Sequence, residues 1–236
     1  MSRWHEILCV WLKLMLKVYV HSKELSSINT ILKVIEGGFK HANIDIRAQS
    51  FVCWRVLLEI VAEQKQLVGS RIGSLSIPLY YTTSFNNYMA KVKFDTWWFF
   101  LCNVKQQIGE ENAVVVTSFL KFCFEPYTSV LAGSIVSDSV TLSPGKKVVA
   151  LREKVICALV YLLGPANEAV VKLQRRCGLE ISVDTIINIK ISKECESDVI
   201  WSCQEATLML TDLTDIDNIS ICKNLWENLI KFFNKE

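Results

Sequence analysis

A chain of 236 residues is long enough for one or two domains with a full hydrophobic core. With 51% hydrophobic and 21% charged residues and a mean hydropathy of +0.28, intrinsic disorder is excluded, and nine Gly and four Pro are too few for a turn-rich all-β or a collagen-like chain. The net charge of +2, from 26 basic and 24 acidic residues, implies no nucleic-acid binding by itself, so composition points to a soluble, globular, helical protein and is silent on activity.

The opening segment, ILCVWLKLMLKVYV, has the apolarity of a signal peptide. Lys13 and Lys17 interrupt it and no small-residue cleavage site follows, so it reads as an amphipathic helix. No run in the chain reaches the ~18 uninterrupted apolar residues of a membrane span.

Within that helix Leu8, Trp11, Met15 and Val18 share one face. The same stripe recurs 43 residues on as Phe51, Trp54, Leu58 and Val61, and again as Phe94, Trp97, Leu101 and Val104. All twelve positions are apolar and the second is Trp each time, which predicts that Trp11, Trp54 and Trp97 occupy equivalent buried sites in three stacked helices. Second helices lie between. SSINTILKVIEGG ends at Gly37-Gly38, an expected left-handed cap; QLVGSRIGSLSIPL reaches Pro78; NAVVVTSFLKFCF stops before Pro126. Two antiparallel helices in about 43 residues match the ~40–47-residue unit of HEAT and armadillo arrays better than shorter repeats. The expected fold is therefore an all-α solenoid of such helix pairs.

Residues 125–146 carry Ser, Gly and Pro without helical period and read as an inserted loop or an unstructured segment. Helices resume with the stripe Val148, Leu151, Val155, Leu159 and Leu162, ending at Gly164-Pro165, then a short helix from Ala166 to about Arg176. Residues 179–192 read as a connection plus helix. A last pair spans about 198–213 and 219–233, with the stripe Cys222, Leu225, Trp226, Leu229, Ile230 and Phe233. The organisation is thus three helix pairs over 1–124, an insertion over 125–146, and two further pairs of the same solenoid over 147–236. Neither end reads as a polar capping repeat, as expected for a piece of a longer array.

The nine cysteines form no C-x-x-C and no zinc-finger spacing, and the three histidines are scattered, so no metal site is expected. Most cysteines lie in apolar stripes and read as small core residues of a reducing compartment. No catalytic motif appears, which leaves no expected cofactor, small-molecule substrate or enzymatic activity.

Charge is uneven. Residues 141–180 hold seven basic residues against three acidic, and 194–236 hold three against nine. Lys172, Arg175 and Arg176 share one helix face; with Lys146 and Lys147 they are candidate DNA contacts, although the modest charge favours the simpler reading, an ordinary solvated face with cations suited to a helix C-terminus. Lys91-Val92-Lys93-Phe94 has the form of a phosphatase docking motif, but Phe94 belongs to the Trp-bearing stripe and reads as core. Ser143-Pro144 reads first as a helix start, with Ser as N-cap and Pro at the first position, and is also a minimal proline-directed phosphorylation site, two compatible readings. A phosphate there would lie beside Lys146 and Lys147.

Three segments carry a family resemblance: IRAQSFVCWRVLLEIVA (46–62); RIGSLSIPLYYTTSFNNYMAKVKFDTWWFFLCNV (71–104), with Pro78-Leu79 and Lys93, Trp97 and Trp98; and ALREKVICALVYLLGP (150–165), ending Leu163-Gly164-Pro165. With NLWENLIKFF (224–233) they resemble, in the same order, the N-terminal helical-repeat region of the telomere-associated Rap-interacting factor family. That resemblance implies an all-α scaffold in the nucleus, on chromosomes and in the telomeric region. It implies roles in telomere maintenance, DNA replication timing, the cell cycle and double-strand-break repair through DNA, chromatin and DNA-damage or telomere proteins. The family's protein phosphatase one recruitment belongs to regions absent from this chain. No DNA-contact residue transfers by motif, so the basic cluster remains a reading of the residues themselves. The alternative is a HEAT-like protein–protein adaptor without nucleic-acid binding.

Overall fold

A computed structural model describes residues 6–14, 25–62, 72–80, 87–104, 108, 113–124, 145–181, 195–211 and 217–234. Every regular element among them is an α-helix: α1 (6–14), α2 (Leu25–Phe39), α3 (Ile44–Ala62), α4 (Ile72–Tyr80), α5 (Asn87–Val104), α6 (Val114–Phe124), α7 (Gly145–Leu163), α8 (Glu168–Cys177), α9 (Glu196–Thr211) and α10 (Asp217–Phe233). The chain divides into two compact units, Met1–Gln107 and Ile108–Glu236. Most of the sequence-predicted insertion, the start at Ser143-Pro144 and the ambiguous 182–192 lie outside the described residues.

In the first unit α2 packs on α3, and α3 on α5, the two helices that carry Trp54 and Trp97. Trp54 is 7% exposed and Trp97 fully buried, with Phe51, Leu58, Phe94, Leu101 and Val104 buried beside them. The shared register therefore places the second and third copies of the stripe in one core. Polar groups tie the layers as well: the Trp54 indole donates to the Leu75 carbonyl of α4 at 3.0 Å, and the Thr96 hydroxyl lies 3.4 Å from the Phe51 carbonyl.

The first copy departs from expectation. Trp11 is 42% exposed, and Leu12 is the fully buried residue of α1. The helix is apolar on nearly every side, so its period does not choose a face; Met15 and Val18 lie outside the described residues. The Gly37-Gly38 cap is also corrected: α2 runs through both glycines to Phe39. Its ring packs edge-on against Phe51 at 4.8 Å and Trp54 at 6.0 Å, and this aromatic anchorage offsets the ~1 kcal/mol that a helical glycine costs. Asn43 then caps α3, its side-chain oxygen accepting the Asp45 N–H at 2.8 Å. Pro78 sits inside α4, which continues to Tyr80.

In the second unit α7 is central, touching α8, α9 and α10, while α9 also packs on α6 and α10. Every residue from Glu153 to Val160 is buried, as expected of a helix enclosed on all sides. The α10 stripe is rotated from expectation: Leu225 and Leu229 are buried, but Ile230 is 58% exposed, and Asn218, Asn224 and Asn228 take inward positions instead. The physical reason is hydrogen bonding. Asn224 and Asn228 both donate to the Pro165 carbonyl, at 3.2 and 3.0 Å, and Asn218 donates to the Leu210 carbonyl at 3.0 Å.

Candidate nucleic-acid interface on α7 and α8

The exposed basic cluster stands on α8, a ten-residue helix with both ends capped. Asn167 is the N-cap, accepting the Val170 N–H at 3.0 Å. Gly178 is the C-cap at φ 66°, in the left-handed region that favours glycine, with its N–H bonded to the Gln174 carbonyl. Ala169, Val170, Leu173 and Cys177 bury one face, which leaves Lys172, Arg175 and Arg176 exposed on the other.

These cations are not equivalent. Lys172 Nζ lies 3.5 Å from Glu168 Oε1, an exposed pair one turn apart. Arg176 Nη2 lies 2.8 Å from Glu153 Oε1 on α7, whose side chain is only 7% exposed. Part of the Arg176 charge therefore satisfies a buried carboxylate and locks α8 to α7. Arg175 has no ion-pair partner among the described residues and presents its charge outward. Arg175 and Arg176 also suit the negative end of the helix dipole.

Lys146 and Lys147 occupy the first turn of α7. Since Arg176 meets α7 at Glu153, six residues beyond Lys147, the lysine pair begins about 9 Å along the helix axis from that ion pair. Backbone placement thus puts both halves of the predicted cluster toward one end of the α7–α8 pair. Ser143 lies outside the described residues.

Three features escaped the reading of the sequence. One is Glu153 as the buried partner of Arg176. A second is the asparagine bracket around Gly164-Pro165: Asn167 donates through its backbone to Asn224 Oδ1 at 3.0 Å and through its side chain to the Ser220 carbonyl at 2.9 Å. A Cβ on Gly164 would lie 2.8 Å from Asn228 Cγ, so the Leu-Gly-Pro turn needs glycine where α10 crosses it. The i, i+4 spacing of Asn224 and Asn228 on an otherwise apolar face was the available signal. The third is Lys93, buried on α5 beside Phe94; burial lowers its pKa from 10.5 to about 7. Phe94 itself is fully buried within a helix, so Lys91–Phe94 is not an extended docking peptide.

Among the described residues no helix is long and apolar enough to cross a membrane, and no group of three potential metal ligands occurs.

No family profile matches the chain, and no solved structure matches it. The chain is similar to Telomere-associated protein RIF1 of Drosophila melanogaster, 27% identical over 184 residues. The match covers 77% of this chain and 12% of that much longer protein.

Proposed function

We propose that the chain is a segment of an α-solenoid scaffold related to the telomere-associated Rap-interacting factor family, acting on chromosomes in the nucleus without catalysis. The observation that carries this reading is the 27% identity to Telomere-associated protein RIF1 over 77% of the chain. The packing of the Trp54 helix on the Trp97 helix, one repeat apart, supports the solenoid. So does the exposed apolar face of Ile7, Val10, Trp11 and Leu14 on α1, since an internal repeat has apolar surface for neighbours on both sides. In this reading the work is done by surface contact: Lys172, Arg175 and Arg176, with Lys146 and Lys147 beyond them, meet phosphates of duplex DNA without reading sequence. Telomere or DNA-damage proteins are the protein partners, and telomere maintenance, replication timing and break repair the processes served. A phosphate on Ser143 would compete with DNA for Lys146 and Lys147.

Titration of the chain into fluorescent duplex DNA of random sequence, at several salt concentrations, tests the proposal. Binding whose logarithm falls linearly with log salt is expected. Absence of binding at low salt would return the chain to the protein–protein adaptor reading.

A further inference from the structure

Two thiols far apart in sequence meet where α1 crosses α3. Cys9 Sγ lies 3.7 Å from Cys53 Sγ, and neither is in a disulfide. Cys53 is buried in the α3 core, while Cys9 is partly exposed, so solvent reaches the pair from the Cys9 side. The same two helices are joined one turn further along, where Lys13 Nζ lies 3.7 Å from Glu59 Oε2. No third metal-ligating side chain joins the pair among the described residues.

We propose that Cys9 and Cys53 form a reversible, peroxide-driven disulfide that clamps α1 onto α3. The chemistry suits the two environments. The hydrogen bond between the two sulfurs and the nearby Lys13 together lower the Cys9 pKa to about 7, whereas that same hydrogen bond and burial push Cys53 up. Cys9 is thus the nucleophile and Cys53 the resolving thiol. The Cys9 thiolate attacks one oxygen of hydrogen peroxide; the O–O bond breaks, hydroxide leaves and takes a proton to become water, and Cys9 becomes a sulfenic acid. Cys53 sulfur then attacks the Cys9 sulfur, the S–OH bond breaks, and the Cys53 proton leaves with hydroxide as a second water. Two thiols are oxidised and one peroxide is reduced to two waters. The sulfurs need to approach by about 1.7 Å to reach bonding distance. A cellular dithiol reductant reverses the step by thiol–disulfide exchange. Such a bond is compatible with a reducing compartment, where disulfides serve as redox signals rather than as frameworks. It is independent of DNA binding, since neither thiol lies on α7 or α8.

The test treats the folded chain with equimolar hydrogen peroxide, alkylates remaining thiols and maps the peptides by mass. The expected product is a cross-linked peptide containing Cys9 and Cys53, lighter by two hydrogens than its two parts together, lost on dithiothreitol treatment and absent from Cys9→Ser. Fully buried Cys157 remains alkylatable only after unfolding in both samples. The oxidised wild-type chain melts several degrees higher than the reduced chain, and Cys9→Ser melts alike with and without peroxide. Recovery of Cys53 as a free thiol while Cys9 is over-oxidised, or oxidation of the other cysteines before this pair, overturns the proposal in the wild-type chain, whatever the variant's stability.

Discussion

Lys93 is a lysine inside the core. It is 2% exposed between α3 and α5, with its ammonium 6.0 Å from the Phe51 ring centre. Burial holds its pKa at about 7, against 10.5 when solvated. Between those values the unfolded chain binds a proton that the folded chain does not, so this residue makes stability rise with pH from about 7 to 10.5; below 7 its cost is constant. Lys93→Met removes that cost. The variant is expected to be more stable at pH 7, with its advantage over wild type shrinking by about 3 kcal/mol between pH 7 and 10 in denaturant titrations. An advantage that does not change with pH would refute the assignment. At the same scale, Gly164→Ala drives a methyl into Asn228 and is expected to destabilise the second unit by about 1–3 kcal/mol by the same measurement. Asn228→Ala in the same chain relieves the clash but loses a buried hydrogen bond to Pro165, so the two changes do not add.

Among the helices, α3 and α5 show how far periodicity carries. Their Trp-bearing stripes are apolar at every 43-residue equivalent, and every described stripe position on both is buried. Trp54→Ala is therefore expected to cost about 3–5 kcal/mol in the melting of the first unit, with Trp11→Ala costing well under half of that because its side chain is largely outside the core. Equal losses would restore the equivalence of the two positions. Helix α1 was illegible for the opposite reason: Ile7, Leu8, Val10, Trp11, Leu12 and Leu14 surround the axis, so a repeat imposed from outside selected Trp11 where packing selected Leu12. Helix α10 hid its inward face because a hydrophobic pattern assigns asparagine to solvent. Asn224 and Asn228 are buried by the one carbonyl they share, a contact between segments some sixty residues apart that no local pattern contains. The Gly37-Gly38 stop failed because Phe39, just beyond it, holds α2 in the aromatic cluster.

At the scale of the molecule, the helical character of the described residues, the packing of the Trp54 helix on the Trp97 helix and the Leu-Gly-Pro turn were readable from residue spacing, because each is a repeated or punctuated pattern along the chain. The electrostatics of the basic cluster were not. Sequence spacing set Lys172, Arg175 and Arg176 on one face but could not show that Glu153, buried on a neighbouring helix, binds Arg176. That pairing ranks the cations: Arg175 is the freest to meet a phosphate, Lys172 exchanges an exposed carboxylate for one, and Arg176 also holds α8 in place. The central claim is a scaffold that meets DNA through this face, and its most direct measurement is the salt dependence of duplex binding by wild type and by Lys172→Gln with Arg175→Gln. These changes leave the Arg176–Glu153 pair intact. The account predicts weaker binding and a log–log salt slope shallower by about 2 for the double variant; wild-type affinity and slope in the variant would contradict it.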